Sequence, residues 1–403
     1  MDVKRIRLDF PMLQGSAGNK SITYLDNACQ SLRPKQVIDA INSYYLKSSA
    51  CSGRSMHQLA AEVTRGVDQA RGTIAKCLNA IKKEEIVFTR NTTEGINLVA
   101  HSLGLRSGDT VLISDKEHNS NLIPWQMLAK KNGIRVKIVP SKPDNTFDLD
   151  AYRTMFDKSV RLVSFGMTSN LDGVSIPAAD VIKIAHQAGA LVMLDAAQTA
   201  PHKAINVKAL DVDFLAFSGH KMLGPSGIGV LYGKYSLLER IDPFLVGGDT
   251  VSSSTYETCE FLPPPEKFEA GLQDYAGIIG LGAAVKYLQD VGFDAIQKQE
   301  LLINEAISAE IKDIPGLRLI GPADPHLRSG IVSFYIDGID SHRIALMLDQ
   351  MAAVMVRSGQ HCVHSWFHAH QIKGTVRASS YFYTTLEDAA LFTSSLKKIR
   401  KVL

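Results

Sequence analysis

The chain has 403 residues, 45% of them hydrophobic, with 44 basic and 41 acidic side chains for a net charge of +3. That length supports one large core and a second, smaller unit. The near-neutral balance gives no argument for a nucleic-acid or membrane surface, so small-molecule chemistry is the better expectation.

The opening Met-Asp-Val-Lys-Arg-Ile-Arg-Leu-Asp-Phe-Pro lacks the roughly 7–15-residue apolar core of a secretory signal. No run of about 18 apolar residues follows, and the expected location is the cytoplasm. Cys29, Cys51, Cys77, Cys259 and Cys362 are widely spaced with no CxxC pair, which argues against a disulfide framework and a zinc ribbon.

From about residue 85 to 232, short apolar runs alternate with helical patterns: 86–88, 110–113, 136–139, 162–165, 190–194, 214–217 and 227–232. Seven strands separated by helices predict an α/β fold with a mostly parallel sheet covered on both faces. Ligands in such sheets sit at the carboxyl ends of the strands. Past Tyr232 come a Gly-Gly-Asp turn at 247–249, a Pro-rich loop at 261–266 and a long apolar helix around 275–290. A hinge near Gly292 is expected to lead into a smaller α+β domain. Its predicted helices are 294–312, 341–351 and 386–401, with strands near 331–336 and 353–357. The expected division is a large domain over 23–290 and a small one made of 1–22 and 291–403.

Three segments carry chemistry. The strand 214–217 runs into Ser218-Gly-His-Lys221 and a Gly/Pro turn, placing Lys221 at a strand end with flexible backbone around it. The strand 190–194 ends at Asp195, a carboxylate after an apolar run that needs a cationic partner. Arg90-Asn-Thr-Thr-Glu-Gly-Ile-Asn97 has Asn91 and Glu94 at capping-box spacing, so a helix starts there with its amides free to bind phosphate. A reactive lysine, an acid for a pyridinium nitrogen and a phosphate cradle are the parts that pyridoxal phosphate requires.

Further motifs join these: Tyr24-Leu-Asp-Asn-Ala28, Glu117-His118, Pro124-Trp-Gln126, Phe268-Glu-Ala-Gly271, Gly277-Ile-Ile-Gly-Leu-Gly-Ala-Ala284 and Arg357-Ser-Gly-Gln-His-Cys362. With them the chain resembles, over nearly its whole length, a fold-type I pyridoxal-phosphate enzyme of the class V aminotransferase family. Within that family it resembles the group II, SufS-type cysteine desulfurases and selenocysteine lyases. The resemblance implies a large domain with a mostly parallel seven-stranded sheet, a smaller α+β C-terminal domain and a homodimer. It makes Lys221 the Schiff-base lysine that also moves the Cα proton, and Asp195 the partner of the ring nitrogen. His118 would stack on the ring, Gln198 and Asn170 would contact its oxygen, and Thr92, Thr93, Ser218 and His220 would hold the phosphate. Arg377 would take the substrate carboxylate, a task suited to a guanidinium fork. Arg54 and His57 resemble an active-site loop reaching the substrate.

The same resemblance makes Cys362 the nucleophile that accepts sulfur from L-cysteine, releasing L-alanine and leaving a persulfide for an acceptor protein, in the service of iron–sulfur clusters or other sulfur-containing products. An ordinary thiol is only a few per cent ionised at neutral pH, so nearby positive charge or a base is required. His361, His364 and Arg357 are candidates by proximity. His364 and His368 offer two ligands on one helix face, but the carboxylate-rich remainder of a catalytic zinc site is missing, and no metal is expected. Three departures stand out, the first being Gln360 before His361, where the family often has two adjacent histidines. Leu272 follows Gly271 where the family usually has a phosphate-binding Thr that acts across the dimer interface, and Cys29 and Gln30 replace small residues. The competing functions are selenocysteine lyase with L-selenocysteine as substrate, cysteine sulfinate desulfinase, another class V lyase or epimerase, and a catalytically weak scaffold or sulfur-relay binder.

Overall fold

The seven apolar runs form one sheet in the computed structural model, which describes residues 1–17 and 20–402. The strand order is Ile86–Thr89, Gly229–Gly233, Phe214–Ser218, Leu191–Asp195, Val160–Gly166, Thr110–Ser114 and Arg135–Val139. Every pairing is parallel except those of Gly229–Gly233, which runs antiparallel to both its neighbours. Both faces are buried. Val192 and Leu194 point into one apolar cluster with Phe165 and Phe217, and Met193 points into another with Ile113 and Phe214. This double burial explains why the strands read as unbroken apolar runs rather than as alternating ones.

Helices supply the cover. Ile96 and Val99 of Thr92–Ser102 and Trp125 of Asn119–Asn132 pack on one face. Val63 and Ile74 of Gln58–Leu78 and Leu281 of Tyr275–Val291 pack on the other. The glycines of the 277–284 motif let Tyr275–Val291 approach its neighbours closely. A Cβ on Gly280 would lie 2.7 Å from Ile41, and one on Gly282 would lie 2.7 Å from the Ala70 methyl.

A second, antiparallel sheet follows in the order Leu317–Ile320, Ile331–Ile336, Thr375–Ser379 and Arg357–Gly359. Its core holds Phe334, Val376, Leu348 and Phe392, backed by Phe293–Ile311, Ser341–Ala352 and Leu386–Val402. The strand expected near 353–357 is two. Val354–Met355 runs parallel to Thr23–Tyr24, whereas Arg357–Gly359 pairs with Thr375–Ser379. The chain changes partner at Val356, a tertiary event with no local signature. The helices Lys35–Lys47 and Gln58–Leu78 and the strands Leu317–Ile320 and Thr375–Ser379 add to the elements that the pattern predicts. Among the described residues no helix is long and apolar enough to cross a membrane.

Candidate active site

Five parallel strands of the large sheet end at one cavity of about 240 Å³. Thr92 and Thr93 follow the first of these strands, and Glu117 and His118 follow Thr110–Ser114. Asn170 comes after Val160–Gly166, Asp195 and Gln198 from the end of Leu191–Asp195, and Ser218, His220 and Lys221 from the end of Phe214–Ser218. The second sheet closes the cavity with Arg357, His361, Cys362 and Arg377, and the N-terminal segment adds Ala28 and Cys29.

One end is a cradle of hydroxyls and amides. Asn91 caps the helix Thr92–Ser102 by accepting from the Glu94 amide at 3.0 Å. The Thr92 amide donates to Ser218 Oγ at 2.9 Å, the Thr92 and Ser218 hydroxyls lie 2.6 Å apart, and those of Thr93 and Ser120 lie 2.7 Å apart. A helix N-terminus with its amides and hydroxyls gathered in this way favours an anion.

At the other end charges meet in little water. Asp195 Oδ1 accepts from the Ala197 amide at 2.8 Å. Burial raises the Asp195 pKa, and the Lys221 ammonium opposes that rise. Burial lowers the Lys221 pKa, with Asp195 acting in the other direction. His118 caps its own helix, its Nδ1 accepting from the Ser120 amide at 3.1 Å. Burial, with Lys221 nearby, pulls its pKa down to about 3, so the ring is neutral. Burial and Lys221 likewise bring His220 down to about 4. Glu117 is pushed up to about 7 by burial, although Ser114, Asn121 and the Gly166 amide all donate to it.

Arg377 is 2% exposed. Its Nη1 donates to the Asn170 carbonyl at 2.9 Å and its Nη2 lies 3.5 Å from Asp26 Oδ1, while Nε has no partner. Cys362 sits on a strained loop. His361 and Cys362 have φ of +48° and +60°, a conformation that costs about 1–2 kcal/mol for each non-glycine residue. The strain is held by bonds to the large sheet's loops: Asn119 donates its amide to the Cys362 carbonyl, and Asn170 Nδ2 donates to the His361 carbonyl, both at 2.7 Å.

The histidines of this stretch go to separate partners. His361 Nε2 meets Thr375 Oγ1 at 2.8 Å, its Nδ1 is buried without a partner, and burial together with Arg377 and Arg357 holds its pKa far below the usual value. His364 Nδ1 meets Asn119 Nδ2 at 2.8 Å, His368 is exposed, and His370 stacks on Trp366 at 4.0 Å.

Every residue singled out for cofactor or substrate lines the cavity except Arg54 and His57. Arg54 pairs with Asp249 in a separate depression beside Thr64, Glu269 and Tyr275. His57 caps the helix Gln58–Leu78, with Nδ1 accepting from the Ala60 amide at 3.2 Å. Within one chain neither reaches the cavity, because the loop that carries them packs against the 247–249 turn instead.

The aminotransferase class-V profile matches residues 23–392. The chain belongs to this family. A cysteine desulfurase of Synechococcus elongatus is 39% identical over 99% of this chain, which spans 64% of that protein's length. A probable cysteine desulfurase of Xylella fastidiosa is 38% identical over 100% of this chain and 96% of its own. Among solved structures, a cysteine desulfurase of Thermococcus onnurineus superposes with a TM-score of 0.94 at 36% identity, covering 99% of this chain and 98% of its own.

Pyridoxal phosphate is the family's cofactor, and the residues present fit it. The cavity holds a buried carboxylate whose charge is opposed by burial, a lysine across from it, a neutral imidazole and a hydroxyl-lined helix start. The motifs assign no role to three contributors. Glu117 carries a signal only as the neighbour of His118, Ser120 only as a hydroxyl in the first turn of a helix, and Cys29 only as a departure from the small residues of the family.

Proposed function

We propose that this class-V family member is a pyridoxal-phosphate-dependent cysteine desulfurase, converting L-cysteine to L-alanine and retaining the sulfur on Cys362 as a persulfide. The observation that carries the reading is that Cys362 lines the same cavity as Lys221, Asp195 and Arg377. When bound, pyridoxal phosphate supplies the electron sink that makes the substrate's Cα proton removable.

The side chains do the rest. Thr92, Thr93, Ser218 and His220 would hold the phosphate, Asp195 would keep a proton at the ring nitrogen, and neutral His118 would stack on the ring. Gln198, anchored by its bond to the Ala28 carbonyl at 2.7 Å, and Asn170 would contact the ring oxygen. Arg377 turns its fork, with Nε unpartnered, to the substrate carboxylate. Lys221, its pKa lowered by burial, takes the Cα proton. Cys362 Sγ then attacks the substrate sulfur. The Cβ–S bond breaks with its electron pair left on carbon, and a proton completes alanine. An acceptor protein or thiol afterwards removes the sulfur from Cys362.

The surface around Arg54 supports a homodimer. Met56, Val246 and Leu272 are exposed beside the Arg54–Asp249 and Gly248–Gly271 contacts, and Tyr256 projects from the nearby hairpin. A second copy would bury this apolar group.

The test is a single turnover of the holoenzyme with L-cysteine, assaying alanine and enzyme-bound sulfane sulfur. Equal amounts of the two support the reading, and alanine without enzyme-bound sulfur rejects it.

A further inference from the structure

Two arginines enter the cavity from the second sheet. Arg357 and Arg377 are direct partners on neighbouring antiparallel strands, an arrangement in which like charges repel. One short N-terminal segment supplies a counter-group to each. Asp26 approaches Arg377 at 3.5 Å, and Cys29 Sγ accepts from Arg357 Nη1 at 2.7 Å. Arg377 is buried with an unpartnered Nε, which leaves it free for a substrate carboxylate. Arg357 is half-buried on the cavity wall beside Cys362, and one of its donors is held by sulfur.

Guanidinium donors prefer anionic oxygens, which they meet two at a time, whereas sulfur is a weak acceptor. A substrate with an anionic oxygen side chain would compete for Arg357, and a thiol side chain would not. We infer that Cys29 is a specificity residue, whose sulfur occupies Arg357 and keeps the cavity selective for a thiol-bearing amino acid over one bearing a sulfinate. This rests on the desulfurase reading and names the discrimination that site makes. Without the sulfur, Arg357 Nη1 loses its acceptor, and a sulfinate oxygen satisfies it where a thiol does not. The reaction of L-cysteine sulfinate needs no thiol acceptor. Its Cβ–S bond breaks with the pair left on carbon, a proton completes alanine, and sulfur dioxide leaves and hydrates to sulfite.

The experiment compares kcat/KM for L-cysteine and L-cysteine sulfinate in wild-type, Cys29→Ala and Cys29→Ser holoenzymes. The expected result is a sulfinate-to-cysteine ratio about tenfold higher in C29A. In C29S, whose hydroxyl still accepts from Arg357, the ratio stays within about threefold of wild type. Titration of the cofactor's absorbance with L-cysteate gives the same comparison as a Kd without turnover, expected about tenfold tighter for C29A alone. An unmoved or lowered ratio in C29A, or an equal rise in C29S, overturns the role of Cys29. A wild-type holoenzyme that forms no alanine from L-cysteine overturns the desulfurase reading itself.

Discussion

Arg377 donates from Nη1 to the backbone carbonyl of Asn170 at 2.9 Å, fixing an arginine of the second sheet to a strand end of the first. The proposed carboxylate site would therefore lie at the junction of the two sheets. Arg377→Lys keeps the charge but cannot hold Asn170 and present a fork at once. The expected result is a KM for L-cysteine raised at least about tenfold, with a smaller change in kcat. Steady-state kinetics decide it, and an unchanged KM rejects Arg377 as the carboxylate ligand.

Cys362 is held by the Asn119 amide, which donates to its carbonyl, and by the Asn170 side chain, which donates to the carbonyl of His361, so its thiol can be removed without dismantling the loop. Cys362→Ser should keep the bound cofactor's absorbance while alanine formation from L-cysteine falls at least about 100-fold. Alanine release at the wild-type rate would remove Cys362 from the reaction.

Glu117 gives the cofactor-free protein a pH dependence of definite sign. Burial raises its pKa from 4.5 to about 7, so between those values the folded chain keeps a proton that the unfolded chain has released. Stability then falls as pH rises through this window, by up to about 1.4 kcal/mol per pH unit, and above it the loss is complete. His118 and His220, lowered from 6.5 to about 3 and about 4, act the other way below 6.5. There the unfolded chain binds the extra protons, and stability falls as pH drops. Glu117→Gln removes the first contribution alone. Urea midpoints at pH 5 and pH 8 should decline less with pH in E117Q than in wild type, and parallel declines would show that Glu117 does not titrate in this window.

Gly282 tests the helix approach behind the active site. A methyl there meets Ala70 Cβ at 2.7 Å and Ala70 Cα at 3.0 Å, and neither is a flexible tip that can swing aside. Gly282→Ala should destabilise the fold by about 1–3 kcal/mol through overpacking, read as a lowered Tm. A Tm at or above wild type would mean that Tyr275–Val291 can shift without loss.

Much of the site is legible because a strand end is a local feature. The run that ends at Asp195 and the one that meets Ser218-Gly-His-Lys221 are visible as apolar residues followed by polar ones, and parallel pairing brings such ends to one edge. The role of Arg54 is not legible in the same way. Its sequence context resembles a substrate loop, yet its guanidinium goes to Asp249. His361 is a further case. Beside Cys362 it is a candidate base by sequence, but burial and two nearby guanidinium groups push its pKa far below the usual value, which makes it a weak proton acceptor, and Nε2 is engaged with Thr375.

The sequence by itself determined the large sheet and the family, and with the family the cofactor, because apolar periodicity and residues adjacent in the chain carry them; it also singled out Lys221 from its place at a strand end and Cys362 from the resemblance. Only the tertiary structure decided which groups surround Cys362 and line the cavity. Cys29 and Arg357 are 328 residues apart, and Arg377 reaches Asn170 across 207. Contacts of that span arise from how the second sheet packs onto the strand ends of the first, and no local pattern carries that information.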